Sequence, residues 1–277
     1  MNDQDAGTDI AAFIPRLKRG LQASAIVISI AAALTACGGG GSDSAGESAV
    51  AHKAAPPAAS ASPHVVPLNA RFRGKTYAQW EASFWQWALA LPLGPLPHPF
   101  NDCTNRPISA GQTGNVWYWS APDLPDQICN QSANVIPAGT AIFLTTLDVE
   151  ASSLDPEPFY AATAAGQRAI AHQFANYIQN VFVSVDDVPI ANVSAYRTMT
   201  DQFPFTAPTP WVFNPTGTGG NGTAAGDGYF LLLEPLSAGS HKIHYGGNIH
   251  IPAGVLGPDP VDIPKDVTLL ITVGSSR

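Results

Sequence analysis

From residue 115 onward, short runs of alternating or β-branched apolar residues follow one another, and glycine or proline stands at nearly every break between them. The runs cover 115–120, 140–147, 181–185, 188–193, 228–236, 241–245 and 267–273. A period of two sends successive side chains to opposite faces, which is the pattern of a half-buried strand. No helical stretch alternates with these runs one for one, and that excludes a doubly wound parallel sheet. Strands so short, with proline kept outside them, predict a mainly β fold: an antiparallel two-sheet sandwich of jelly-roll type carrying two helices. Composition enters in support. The 277 residues include 25 glycines and 25 prolines to supply turns, and only 12% are charged, against about 25% in an average globular chain. A hydrophobic content of 45%, with six Trp, seven Tyr and twelve Phe, suffices for a sizeable core and excludes wholesale disorder.

The clearest helix precedes the strands. Thr76 as N-cap with Gln79 three residues later makes a capping box, and Pro92 marks the stop. Trp80, Phe84, Trp87 and Leu91 recur at helical spacing with Tyr77 beside them, a stripe that predicts a core face rather than an aromatic ligand platform. A second helix is predicted over 163–180, where Ile170, Phe174, Ile178 and Val181 share a face. Asp186-Asp187 between two apolar runs predicts a hairpin turn, and 217–228 reads as a Gly-rich mobile loop. No linker interrupts 65–277, so these residues are expected to form a single domain.

The first 64 residues predict an address rather than a fold. Arg16, Lys18 and Arg19 precede an apolar run over 21–34, which is the order of a targeting segment and is too short to span about 30 Å of hydrocarbon comfortably. Leu34-Thr35-Ala36-Cys37 resembles the bacterial lipobox, so residues 1–36 are expected to be a lipoprotein signal peptide and Cys37 the lipidation site. The alternative is an ordinary signal peptide or an uncleaved anchor, with Cys37 a spectator. Gly38 rather than Asp after the cysteine favours the outer membrane if the cell is Gram-negative. Residues 37–64 are Gly, Ser, Ala and Pro with scattered charges, a composition that reads as a flexible tether on a lipid anchor.

Thirteen Lys and Arg against 21 Asp and Glu give a net charge of −8, with no basic run, and a nucleic-acid partner is set aside. With Cys37 lipidated, Cys103 and Cys129 remain. In an oxidising exported compartment they are expected to form one disulfide, since two thiols with no histidine nearby make a poor zinc set.

Tyr77-x-x-Trp80-x-x-x-Phe84-Trp85-Gln86-Trp87-Ala88 resembles the tryptophan-dense first helix of an uncharacterised family of bacterial secreted proteins and lipoproteins. The resemblance continues through Cys103, Gly111-Gln112, Val116-Trp117, Cys129, Asp148-x-Glu150, Tyr196-Arg197 and Gly228-Tyr229, and ends in Pro235-Leu236-x-x-Gly239-x-His241-x-Ile243. The chain departs from it at Phe84, Asp148 and Asp187. The resemblance covers nearly the whole mature domain, implies the expected fold and export, and brings no established reaction.

Three sets of residues carry candidate chemistry. Asp148 and Glu150, with Asp155 and Glu157 behind them, follow a strand and could serve as an acid/base pair or a Ca²⁺ loop, although the spacing fits no calcium motif and a solvated acidic loop is the plainer reading. His241, His244 and His250 lack the His-x-His and downstream Glu of a cupin-like centre, so no metal site and no cofactor are assigned. In an unbroken strand His244 and His250 would share a face opposite His241, but Gly246-Gly247 is expected to break or bulge the strand. Trp117 and Trp119 fall on one face about 6.5–7 Å apart, spaced to stack on a ligand or to pack in the core. No G-x-S-x-G elbow, S-x-x-K or phosphate loop is present. Two functions stay open: a non-catalytic envelope lipoprotein that binds a glycan or envelope protein, and an exported polysaccharide-directed hydrolase using Asp148 and Glu150.

Overall fold

The computed structural model describes residues 65–275. The expected signal peptide, the lipidation of Cys37 and the tether over 37–64 lie outside the described residues. Helix α1 (Tyr77–Leu89) opens with the capping box: Gln79 N donates to Thr76 Oγ1 at 3.3 Å and Thr76 N to Gln79 Oε1 at 2.9 Å. The strands follow as β1 (Val116–Trp119), β2 (Gln127–Ile136) and β3 (Ala141–Ser152). Helix α2 (Ala164–Ala175) then leads into β4 (Ile178–Val185) and β5 (Val188–Pro189). After them come β6 (Arg197–Met199), β7 (Phe203–Ala207), β8 (Gly220–Leu233), β9 (Gly239–Ile251) and β10 (Val261–Val273).

These strands make two sheets. One has the order β1-β3-β8-β6 with β7 also on β8; the other runs β2-β10-β9-β4-β5. The fold is therefore a mainly β two-sheet sandwich with two helices. Two pairings depart from an all-antiparallel arrangement: β1 lies parallel to β3, and β2 parallel to β10. The chain changes sheet after β1 and changes back after β2, so β1 and β3 come to lie side by side pointing the same way. Alternation in sequence carries no information about direction.

The apolar pattern explains the layers. Leu231 and Leu233 of β8 face the second sheet, with Ile142, Leu144 and Trp119 meeting Ile243, Tyr245, Val267 and Leu269. Phe230 and Leu232, on the other face of the same strand, pack with Phe143 beneath Tyr77, Phe84 and Trp85 of α1. A strand covered on both faces reads as a continuous apolar run, which Phe230–Leu233 is. Fully burying each of these large side chains contributes about 1.5–3 kcal/mol. Helix α2 closes a third cluster, in which Phe174 and Ile178 meet Leu147, Ile249 and Ile251.

Several boundaries moved. The second helix stops at Ala175, and Ile178 and Val181 belong to β4, where a β-branched run prefers the pleated surface. Residues 220–228, expected as a mobile loop, form the first half of β8, because β3 and β7 flank them and take their hydrogen bonds. Strands β2 and β7 gave too little alternation to be read. Asp186 and Asp187 do form the β4–β5 turn, both with positive φ (51° and 64°), as a tight hairpin requires. Buried Lys265 on β10 pairs with Asp123 Oδ1 at 3.1 Å, tying that strand to the loop after β1.

Candidate functional site

The acidic residues do not form a loop. Asp148 and Glu150 stand two apart on β3, whose pairing with β8 extends to Ser152, so both project toward α1 while Leu147 packs below α2. Asp148 is half-buried, Glu150 is 6% exposed, and Asp155 beyond the strand end is 5% exposed; Glu157 lies at the surface. Burial first, then the charge of Asp155, pushes Glu150 well above the usual carboxyl range. Burial also raises Asp155 to about 7, although hydrogen bonds from Ser152 and Glu150 oppose the rise. Ser152 Oγ donates to Asp155 Oδ2 at 2.7 Å. The two carboxyls thus lie side by side inside the fold, each pushed toward its neutral form, and the expected solvated loop is corrected.

A third buried carboxyl was invisible in the sequence. Glu81, on the inner face of α1, has no exposed surface, and neither oxygen has a hydrogen-bond partner. Burial holds it well above the ordinary value, assisted by the charges of Asp227 and Asp148. It fits because β8 carries Gly226 beneath it: a Cβ there would lie 2.7 Å from Glu81 Oε1 and 2.4 Å from Trp85 Nε1. Asp227, pointing the other way, is 1% exposed and is held by Arg197 Nε and Nη2 at 2.8 and 2.9 Å and by His172 Nδ1 at 3.0 Å. That clamp joins β6, β8 and α2.

The other candidates also moved inward or apart. Trp117 and Trp119 are 8% and 4% exposed and pack between the sheets, and Trp119 Nε1 donates to Tyr245 Oη at 2.8 Å. An exposed stacking platform is corrected, because the inward face of β1 is the core face. Strand β9 runs unbroken past Gly246-Gly247 against β10, so His244 and His250 share the outer face with His241 opposite. Each has its own aspartate: His241 with Asp186 at 2.7 Å, His244 with Asp266 at 2.9 Å and His250 with Asp262 at 2.7 Å. Among the described residues no group of three or more His, Cys, Asp or Glu is arranged to hold a metal ion.

A cleft opens beside the disulfide. Its walls come from Trp87 of α1, the coil carrying Asp102, Cys103, Arg106 and Gln112, and Tyr118 and Trp119 of β1. Cys103 and Cys129 are bonded, with 5.3 Å between their Cα atoms. Closing this loop constrains the unfolded chain by about 3.5 kcal/mol. Side chains hold the coil where a backbone ladder is lacking. Buried Gln131 on β2 donates to the carbonyls of Cys103 (2.7 Å), Arg106 (2.9 Å) and Thr104 (3.2 Å) and accepts from Ile108 N at 2.8 Å. Trp87 Nε1 donates to Gly111 O at 2.9 Å, and Gln112 pairs with both backbone groups of Tyr118.

Within this frame Arg106 is 8% exposed. Its Nη1 and Nη2 each donate one long bond, 3.3 Å, to the carbonyls of Pro97 and Ala110, and its Nε has no partner. Burial pulls its pKa below the usual arginine value, yet a guanidinium stays charged at neutral pH. No signal in the sequence marked Arg106 or Gln131: Arg106 lies in an aperiodic coil, and Gln131 stands among Asn130, Ser132 and Asn134, where too few apolar residues alternate to betray a strand. Neither family models, nor curated proteins, nor solved structures match this chain.

Proposed function

We propose that the chain is an exported cell-envelope lipoprotein, anchored through Cys37 and tethered by residues 37–64, whose folded domain is a non-catalytic binding module for a glycan or envelope protein. The observation that carries the reading is the contrast between the acids and the cleft. Glu81, Glu150 and Asp155 are sealed among α1, β3 and β8, with the last two bonded to each other, so a polymer cannot reach them. The cleft beside Cys103, by contrast, presents a cation with spare donors, and a few polar groups in a concave apolar wall are what orient a ligand.

The test uses the processed full-length protein in detergent against a panel of envelope glycans and peptides, with binding and hydrolysis followed in parallel. Binding without turnover is expected, unchanged in Asp148→Asn/Glu150→Gln. Turnover that the double substitution abolishes, in a protein that keeps its wild-type melting temperature, would replace this reading with the hydrolase.

A further inference from the structure

Arg106 carries an unusual arrangement of charge. A guanidinium has five N–H donors in a planar fork, and here two of them make long bonds to neutral carbonyls while Nε makes none. Among the described residues no carboxylate lies within ion-pair distance of it, although more than nine-tenths of its surface is buried. Taking a cation out of water without a counterion is costly, and the cost is offset only when an anion with matching geometry arrives. The carboxylate that does line the cleft, Asp102, is already occupied. It accepts from Thr104 N at 2.7 Å, Asn105 N at 2.9 Å and Asn105 Nδ2 at 2.6 Å. Burial would raise its pKa, but those bonds outweigh burial and hold it below the usual carboxylate value.

The guanidinium is also rigidly seated. Nη2 points at Ala110 O, and a Cβ at Gly111, whose φ is +77°, would lie 3.3 Å from that same Nη2 and 3.4 Å from Trp87 Nε1. Gly111 thus leaves room for the fork against the indole edge. The coil that presents Arg106 is fixed on one side by the Cys103–Cys129 bond and Gln131, and on the other by Trp87 and Gln112. A pre-organised fork loses little freedom on binding, which is why arginine suits planar, two-pronged anions better than lysine does.

We propose that the cleft beside the disulfide is a carboxylate-binding site, in which Arg106 receives the carboxylate of a small monocarboxylate or of a sugar acid against the aromatic wall of Trp87 and Tyr118. This rests on the binding-module reading and supplies the chemical class of its ligand. The site is narrow, with free space for about one water-sized group, so only the carboxylate oxygens enter and the rest of the ligand lies outside. A spherical anion cannot engage two prongs of the fork in the same way, and the negative charge of Asp102 at the rim disfavours a doubly charged one.

The experiment follows the Arg106 Nε–H signal by two-dimensional ¹H–¹⁵N NMR of the processed full-length protein, with sodium acetate and sodium glucuronate as probes and sodium chloride at matched ionic strength as the reference. A saturable shift of that signal with either carboxylate, absent with chloride, is expected, and the tighter arm identifies the source as free acid or sugar acid. Arg106→Lys keeps the charge and loses the fork, and should bind about tenfold or more weakly, read by thermal shift. If that variant does not fold, the wild-type titration decides alone. Equal shifts with chloride, or no saturation with either carboxylate, overturn the proposal. If in that case the glycan and peptide panel still binds, and binding survives Arg106→Lys, the module reading stands while the carboxylate site falls.

Discussion

Glu81 sets a pH dependence that a surface carboxyl would not. At low pH it is protonated in both the folded and the unfolded chain. As pH rises past its ordinary value of 4.5, the unfolded chain releases the proton while the folded chain, where burial has raised the value, keeps it. Stability therefore falls as pH climbs toward the folded value. The Glu150–Asp155 pair acts in the same direction, with the Asp155 share lost between about 3.8 and about 7. Asp102 and Asp262 are held below 3.8, so their contribution is lost only in stronger acid and does not touch this window. Urea unfolding should accordingly give a lower midpoint at pH 8 than at pH 5. Glu81→Gln, which removes the titration and keeps the shape, should lose this pH dependence and so gain stability relative to wild type as pH rises from 5 to 8. A wild-type midpoint that rises from pH 5 to pH 8, with no difference in Glu81→Gln, would contradict the assignment. At this scale the sequence could be read only where a residue belonged to a local pattern. Thr76 and Gln79 were legible as a cap because both partners lie within one turn. Glu81 lay two residues further on and gave no sign of burial, because its surroundings come from Gly226 and Asp227, about 145 positions away.

Helix α1 and strand β8 are the elements whose contact decides the interior. The helix presents Tyr77, Trp80, Phe84 and Trp85 to the sheet, and Phe84 lies within 6.4 Å, centroid to centroid, of Phe143, Phe230 and Phe100. Such aromatic pairs add about 0.5–1.5 kcal/mol each beyond their buried area. Close approach is possible because β8 has no side chain at Gly226; Gly228 instead makes room for the neighbouring strand, since a Cβ there would lie 2.5 Å from Asp148 Cα of β3. Gly226→Ala should force α1 outward and cost about 1–3 kcal/mol, the usual penalty of overpacking. Gly257→Ala, at a position with no atom within 4 Å of the added methyl and no positive φ, should stay within about 0.5 kcal/mol of wild type. Equal thermal midpoints for the two variants would show that α1 does not rest on β8 as described. Residues 220–228 form a strand rather than a loop for the same reason. Glycine-rich sequence argues for a loop when taken locally, yet here Gly226 admits the helix, and two neighbouring strands supply the hydrogen bonds.

The proposed anchor at Cys37 and the folded sandwich do not depend on each other. If Cys37 carries the lipid, palmitate labelling and membrane sedimentation should be retained by wild type and lost in Cys37→Ser, while the Cys103–Cys129 bond and the thermal midpoint of the folded domain stay unchanged. Equal labelling of both proteins would remove the anchor and leave the fold untouched. What the sequence determined by itself was local and periodic: the capped first helix, the aspartate hairpin, the alternation that makes a mainly β sandwich, and the single cysteine pair of the folded domain. These are set by interactions within a few residues or by a repeat that a short window displays. The direction of β1 and β2, the burial of Trp117 and Trp119 and of Glu150 and Asp155, and the solitary charge of Arg106 arise only in the fold. Each of those depends on which distant strand lies opposite, and a side chain's environment is fixed by partners that its own neighbourhood in sequence does not name.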